Sequence, residues 1–321
     1  MIRRRFGVER RPCQDGASGR LIDGAGGLKV TFGSPRPPPP LAAAAGPGRI
    51  HLRLLETTDV HVAIHPYDYY ADAPSDTCGL ARTAALIETA RAEAVNTLLF
   101  DNGDFLQGNP MGDYVAYERG VPNGTLHPAI AAMNVLGYDV AALGNHEFNY
   151  GLDLVNASLA GAGFPLVCAN LVRGTQLGID PTRDPTFAPP FVILERRLVD
   201  GADASHVVRI GCIGFLPPQV VTWDRHHLAG KVVTRDIVAT ARAYAPQMRE
   251  AGADLVVALA HTGIDPDRST RASRTPRCSL PPCRGSTWCS PATSISCFRG
   301  RTFPASPAST RWRARCTASP R

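Results

Sequence analysis

Short apolar runs alternate with Ala-rich amphipathic stretches between about residue 51 and residue 263. Compact runs of aliphatic and β-branched residues are typical of buried strands, and apolar residues repeated at intervals of about three and four are typical of helices. The apolar runs predict strands near 52–58, 95–101, 138–143, 165–169, 191–199, 207–214 and 254–260. The amphipathic stretches predict helices near 79–94, 127–136, 151–162 and 236–251, the last beginning behind Asp236 as a capping residue. This alternation predicts an α/β fold with one main domain.

Four of the predicted strands are each followed directly by polar residues. These residues are Asp59-Val60-His61, Gly103-Asp104, Asn145-His146 and His261. The carboxyl ends of strands in an open α/β sheet form one edge, where ligands bind. Taken alone, an Asp-x-His pair also fits a turn with a capping carboxylate, and Gly-Asp fits ordinary turn chemistry. Because all four clusters occur in order, each after its own strand, the set favours a common site.

The residue types at these strand ends predict a two-metal centre. Borderline divalent metals accept imidazole nitrogen and carboxylate oxygen together, and Asp104 is the candidate for the bridging carboxylate. Asp59 and His61, separated by one residue, can point the same way from a strand end. Asn145 offers a neutral amide ligand, and His146 is then free to act as an acid. Two metals roughly 3.5–4 Å apart can lower the pKa of a shared water and clamp both reacting oxygens of a phosphoryl displacement.

With these residues in place, the chain resembles the metal-dependent phosphoesterase domain of the 5′-nucleotidase superfamily. The resemblance is strongest to the bacterial periplasmic 2′,3′-cyclic-nucleotide 2′-phosphodiesterase/3′-nucleotidases. Six stretches carry it: 54–61 (LLETTDVH), 79–83 (GLART), 101–108 (DNGDFLQG), 143–153 (LGNHEFNYGLD), 217–219 (PPQ) and 258–263 (ALAHTG). Many 5′-nucleotidases carry Asp where this chain has Asn149, so the Phe-Asn-Tyr-Gly sequence favours the cyclic phosphodiesterase branch.

The resemblance implies a four-layer αββα calcineurin-like metallophosphoesterase sandwich over residues 51–265, incomplete at its C-terminal end. It implies two divalent metal ions, of Zn, Mn, Fe or Co, held by Asp59, His61 and Asp104 on one side and by Asp104, Asn145 and His261 on the other. The catalytic residues it implies are His146, as the acid, and Asn145, which also orients a phosphate oxygen. No substrate-binding residue can be assigned.

The same resemblance implies hydrolysis of nucleoside 2′,3′-cyclic phosphates and 3′-nucleotides by a periplasmic monomer whose partner is its nucleotide substrate. A 5′-nucleotidase or UDP-sugar hydrolase is the alternative within the same class. An inactive metal-binding remnant is the alternative from another class.

Residues 1–50 form an Arg-, Pro- and Ala-rich segment that we expect to be disordered. The Arg-rich start is not followed by the apolar stretch of about 7–15 residues that a secretory signal needs, and no run is long and apolar enough to cross a membrane. The net charge of +6 comes mainly from arginines near both ends. Because no aromatic interleaving or recognition motif accompanies these arginines, we expect no nucleic-acid binding.

Residues 266–321 do not continue the family pattern, which next requires a strand ending in Gly-His-x-His. Plausible GC-rich codons from Trp288 onward, read two bases later, give Val-Leu-Ala-Gly-His-Gln-His, so a frameshift after about residue 265 is our preferred interpretation. An unrelated disordered extension rich in Pro, Ser, Thr and Arg is the alternative. Without the two histidines, each metal lacks one ligand, and we expect the activity of this chain to be reduced.

Overall fold

The structure is a computed structural model that describes residues 48–264 and two short segments, 277–278 and 294–299. Most of residues 1–50 and of residues 266–321 lie outside the described residues, where their expected disorder stays a prediction. The described segments 277–278 and 294–299 form β-strands, so the expectation of disorder does not hold for these two segments. The Gly-His-Gln-His hypothesis concerns the chain after about residue 265 and stays a prediction.

The strands alternate with helices along the chain. The strands are β1 Arg53–Thr57, β2 Tyr67–Asp68, β3 Ala73–Pro74, β4 Thr97–Asp101, β5 Val140–Ala142, β6 Leu166–Val167, β7 Leu171–Arg173, β8 Phe191–Val199, β9 Ser205–Phe215, β10 Val232–Thr234, β11 Leu255–Ala260, β12 Gly263–Ile264, β13 Arg277–Cys278 and β14 Ser294–Arg299. The α-helices are α1 Leu80–Ala92, α2 Pro110–Tyr114, α3 Pro128–Leu136, α4 Leu152–Leu159, α5 Val220–Trp223, α6 Arg225–Leu228 and α7 Ile237–Glu250. A π-helical turn at Val115–Arg119 directly follows α2, and 3₁₀ turns lie at His146–Phe148 and Pro181–Arg183.

Two four-stranded sheets form the centre of the fold. The first has the order β1-β4-β5-β6, and all its strand pairs are parallel. The second has the order β14-β11-β9-β8, in which β9 and β11 are parallel. Strands β1, β4 and β5 therefore end at one edge of the first sheet, and β9 and β11 end together in the second.

Three apolar clusters separate four layers. The cluster between the sheets includes Phe100 and Val140 from the first sheet and Ile210 and Val257 from the second. A larger cluster packs α1, α3 and α4 on the outer face of the first sheet. A third, with Tyr244 of α7, covers the outer face of the second. The predicted helix–sheet–sheet–helix sandwich is confirmed.

Local sequence explains where the main helices begin. Asp236 precedes α7, and its carboxylate accepts a hydrogen bond from Ala239 N at 2.7 Å, as predicted for a capping residue. Pro128 occupies the first turn of α3, where its missing N–H costs nothing, and Gly137 ends that helix in the left-handed conformation. Among the described residues, none of the helices combines the length and apolarity that a membrane span requires.

Candidate metal and phosphoesterase site

Backbone hydrogen bonds to the loop after β4 fix the conformation of the loop after β1. Asp59 N donates to Gly103 O at 3.0 Å, His61 N to Asp104 O at 2.9 Å, and Val62 N to Phe105 O at 3.2 Å. Asp59, His61 and Val62 have φ of 52°, 47° and 55°, a region that side-chain-bearing residues rarely adopt. Strain of this kind persists where surrounding contacts over-determine the backbone, typically at functional sites.

Two glycines let the loops after β4 and β5 approach closely. Gly103 has a φ of 98°, and a Cβ there would collide with the backbone of Gly144. A Cβ on Gly144 would in turn collide with the carboxylate of Asp104. Glycine is therefore required at both positions, and the Gly-Asp and Gly-Asn-His-Glu motifs bring their polar side chains together for this reason.

Asp59, Asp104 and His261 converge on one point. Each presents a ligand atom within 4.8 Å of the others, and they form a potential metal-binding group of the described residues. His261 Nε2 lies 2.9 Å from Asp104 Oδ2, and both residues are buried. His261 directly follows β11, and its N–H donates to Phe215 O at the end of the neighbouring strand β9. Its ring Nδ1 lies 2.8 Å from Asn102 O, in the loop after β4 of the first sheet.

His61 lies beside this group. Its Nε2 is 3.7 Å from Asp59 Oδ1, and its ring lies 5.1 Å from the ring of His146, edge to face. A Cβ on Gly108 would collide with the His61 side chain, so this glycine leaves the room that the ring occupies.

The protonation of the cluster reflects its mixed charges. Burial disfavours the charged form of His261, but the hydrogen bond and the charge of Asp104 together raise its pKa to about 9. Burial likewise opposes protonation of His61, yet its contacts with Asp59 and Gln107 O raise its pKa. For Asp59, burial favours the neutral form, but its contacts with His61 and Thr58 lower its pKa. Because the pKa values of both histidines are raised, a metal must compete with protons for the ring nitrogens of His61 and His261.

The donor set fits divalent metal ions. His61 Nδ1 lies 2.6 Å from Gln107 O and His261 Nδ1 lies 2.8 Å from Asn102 O, so both rings donate from Nδ1 and keep Nε2 for a metal. A backbone carbonyl bound to the other ring nitrogen is the usual way in which a metal-binding histidine is oriented. Two carboxylates and two imidazoles oriented in this way match the preference of Zn²⁺ and its neighbours.

Asn145 and His146 follow β5 at the start of a 3₁₀ turn. His146 N donates to Asp104 Oδ1 at 2.7 Å, and His146 Nδ1 lies 2.6 Å from Asn149 Oδ1. Asn145 is half-buried, and its side chain makes no hydrogen bond within the part of the chain that the structure describes. The His146 ring is therefore anchored beside the cluster, and the assignment of Asn145 as a ligand stays a prediction.

Glu147 is a site residue to which the sequence analysis assigned no role. Its buried carboxylate accepts hydrogen bonds from the N–H groups of Asp104 (2.9 Å), Phe105 (2.7 Å), Leu106 (3.3 Å) and Gly144 (2.6 Å). Burial raises its pKa, whereas these N–H groups favour the carboxylate. Glu147 connects the loop after β4 to the loop after β5 through these hydrogen bonds. Its position in the Gly-Asn-His-Glu motif is the sequence feature from which a role could have been predicted.

The chain is similar to known proteins both in sequence and in fold. The family model described as calcineurin-like phosphoesterase matches residues 52–275. A protein of Haemophilus influenzae named 2′,3′-cyclic-nucleotide 2′-phosphodiesterase/3′-nucleotidase is 49% identical over 69% of this chain and 33% of its own length. A protein of the same name from Salmonella typhimurium is 46% identical over 71% of this chain and 34% of its own length.

A solved structure gives the same fold. The crystal structure of calcineurin-like phosphoesterase YfkN from Bacillus subtilis matches with a TM-score of 0.63 and 44% identity, covering 71% of this chain and 65% of that one. Compared with the Haemophilus influenzae and Salmonella typhimurium relatives, the present chain spans about a third of their length.

Proposed function

We propose, because this chain belongs to the calcineurin-like phosphoesterase family, that it is a metal-dependent hydrolase of nucleoside 2′,3′-cyclic phosphates and 3′-nucleotides. One observation carries the proposal: Asp59, Asp104 and His261, from three different loops, present their ligand atoms within 4.8 Å of one another. The names of the two relatives at 46–49% identity support the substrate class.

The residues assigned to the metals divide into two sets that share one carboxylate. Asp59, His61 and Asp104 are assigned to one ion, and Asp104, Asn145 and His261 to the other. The mixed nitrogen and oxygen donors are compatible with Zn, Mn, Fe or Co as the bound metal. When bound, the pair of ions supplies Lewis-acid stabilisation of phosphoryl oxygens and lowers the pKa of water.

His146 is assigned to proton transfer and Asn145 to orientation of the phosphate. Proton transfer to the leaving oxygen by a positioned histidine typically contributes about 10²–10⁴-fold to the rate. Opening of a 2′,3′-cyclic phosphate adds water across the P–O2′ bond, and O2′ receives the proton from His146. A second addition of water, across the P–O3′ bond, then releases the nucleoside and inorganic phosphate.

We further propose a periplasmic location and a monomer whose partner is its nucleotide substrate. These assignments rest on the family resemblance of the motifs. Cell fractionation and measurement of the molecular mass in solution test them directly.

The substrate assignment is tested by product analysis with the purified chain and added Mn²⁺. We expect slow hydrolysis of 2′,3′-cyclic AMP through 3′-AMP to adenosine, faster than hydrolysis of 5′-AMP, and its loss in Asp104→Ala. Asp203→Asn is the control, because Asp203 is an exposed turn residue between β8 and β9. Faster release of phosphate from 5′-AMP would contradict the substrate class, and equal rates with and without Asp104 would contradict the site.

A further inference from the structure

A chain of hydrogen bonds runs from His146 away from the metal cluster. His146 Nδ1 lies 2.6 Å from Asn149 Oδ1, and Asn149 Nδ2 donates to Asp224 Oδ1 at 2.8 Å. Asp224 is 4% exposed, and its Oδ2 has no hydrogen-bond partner in the described part of the chain. Burying a carboxylate with one unpartnered oxygen costs free energy of folding. A role for Asp224 in the site would explain why a carboxylate occupies this position.

The carboxylate fixes the direction of every bond in this chain. An ionised carboxylate only accepts hydrogen bonds, so the amide NH₂ of Asn149 must face Asp224. The amide oxygen of Asn149 then faces His146, and an amide oxygen also only accepts. His146 Nδ1 must therefore carry a hydrogen.

A second contact from the same segment holds Asn149 in place. His227 Nε2 lies 2.9 Å from the carbonyl oxygen of Asn149. Asp224 lies where α5 meets α6: its N–H donates to Val220 O, and its carbonyl accepts from His227 N and Leu228 N. The segment that carries Asp224 and His227 thus contacts both the backbone carbonyl and the side-chain amide of Asn149.

We infer that Asp224 is a positioning residue, which acts through Asn149 to hold His146 in the Nδ1–H form with Nε2 left for the reaction. For its meaning in catalysis this inference rests on the proposed function, because it deepens the assignment of His146 as the acid. No hydrogen bond to His146 Nε2 occurs among residues 48–264, so this nitrogen is the one available to a substrate oxygen.

The arrangement matches the needs of an acid that works by proton transfer. The imidazolium carries hydrogens on both ring nitrogens and gives the Nε2 proton to the leaving oxygen. The neutral ring that remains is the Nδ1–H tautomer, which is the form that Asn149 accepts. The neutral amide of Asn149 transmits to the ring the orientation that its contact with Asp224 sets.

The tautomer of His146 can be measured in the metal-free chain by NMR with ¹⁵N-labelled histidine. Multiple-bond ¹H–¹⁵N correlations distinguish Nδ1–H from Nε2–H in the neutral ring. The chain has nine histidines, so the His146 signals are assigned by their loss in His146→Gln. We expect the Nδ1–H tautomer to dominate in the unmodified chain.

Three variants separate positioning from folding. In Asp224→Asn the amide of Asn149 can turn over, and we expect the ratio of Nδ1–H to Nε2–H to fall about tenfold. In the double variant Asn149→Asp/Asp224→Asn the bond between positions 149 and 224 reverses its direction, but position 149 still presents only an acceptor to His146 Nδ1, so the ratio should be restored. Asp200→Asn is the matched control: it removes another buried carboxylate, one 3.0 Å from His206 Nε2, and should alter the signals of His206 alone.

Two results would overturn the inference: an Nε2–H tautomer of His146 in the unmodified chain, or an unchanged ratio in a folded Asp224→Asn variant. Kinetics add a second readout. Asp224→Asn should lower kcat on 3′-AMP with little change in KM, and should lower it less on p-nitrophenyl phosphate, whose leaving group needs no proton. Because the tautomer is measured without turnover, a chain that hydrolyses nothing would contradict the proposed function while the tautomer ratio still decides the role of Asp224.

Discussion

At the residue scale, the contact between His261 and Asp104 couples metal binding to pH. The pKa of His261 is raised to about 9 because Asp104 accepts its Nε2 hydrogen and contributes negative charge, against the opposing effect of burial. A metal needs the same Nε2 without its proton. Below a pH of about 9, binding must therefore displace a proton from His261.

This displacement gives a prediction with a definite sign. The affinity for Mn²⁺ should rise as the pH increases from about 6 to about 8, and binding should release protons over that range. Calorimetric titrations in buffers of different ionisation enthalpy measure both quantities. In His261→Gln the number of protons released should fall, and an affinity independent of pH in the unmodified chain would contradict the assignment of His261 as a ligand.

The residue scale also shows what the sequence could and could not predict. Asp59, Asp104 and His261 could be predicted as neighbours because each follows a strand, and the ends of parallel strands meet at one edge. Glu147 and Asp224 could not be given roles in this way. Their contacts depend on the backbone conformation of loops, and no local pattern reports which N–H groups or amides a carboxylate will meet.

At the element scale, the loops after β4 and β5 depend on a single carboxylate. Glu147 accepts from the N–H groups of Asp104, Phe105 and Gly144, which are buried and lie outside regular strands. Leaving a buried donor without a partner costs about 1–3 kcal/mol. The position of Asp104 in the cluster is therefore maintained from the neighbouring loop.

Replacing this carboxylate should affect stability and metal binding together. We expect Glu147→Ala to lower the free energy of unfolding by about 3 kcal/mol or more, since several buried N–H groups lose their acceptor. Metal affinity measured on the folded fraction should fall as well, because Asp104 is no longer held. Glu88→Gln, on the exposed side of α1, serves as the control in denaturant titrations. A stable variant with unchanged metal affinity would disprove the supporting role of Glu147.

The main elements were predictable, whereas the short ones were not. Each predicted strand and helix is confirmed to within a few residues, and β8 has the predicted bounds, because a buried apolar run or an amphipathic repeat is a local signal. Strands β7 and β10, of three residues each, pair with each other across a large sequence separation. So few residues carry no periodicity, and their pairing is decided by tertiary contacts.

At the scale of the whole molecule, residues 52–275 match the calcineurin-like phosphoesterase family model. The chain spans about a third of the length of its two named relatives, and it contains no Gly-His-x-His sequence. The family resemblance implies that each proposed metal set lacks one histidine. Loss of a direct ligand should cost more than the roughly 10–100-fold effect of changing a residue that only supports a ligand.

This reasoning predicts the effect of restoring the reading frame. A chain in which residues after about 265 are translated two bases later, with Gly-His-Gln-His and the sequence that follows, should hydrolyse 2′,3′-cyclic AMP faster by orders of magnitude. The comparison uses specific activity at matched metal loading. Comparable rates for the two chains would contradict this prediction. They would mean that other groups, such as His226 or His227, replace the missing histidines.

The central claim is that Asp59, His61, Asp104, Asn145 and His261 together hold two metal ions with Asp104 as the shared ligand. Calorimetric titration of the 321-residue chain with Mn²⁺ tests it most directly, alongside Asp104→Ala and the control Asp203→Asn. The account predicts weak binding of about two ions per chain, retained in the control and lost at both sites in Asp104→Ala, because a bridging carboxylate serves both ions. Equal metal uptake by folded Asp104→Ala and by the unmodified chain would contradict it.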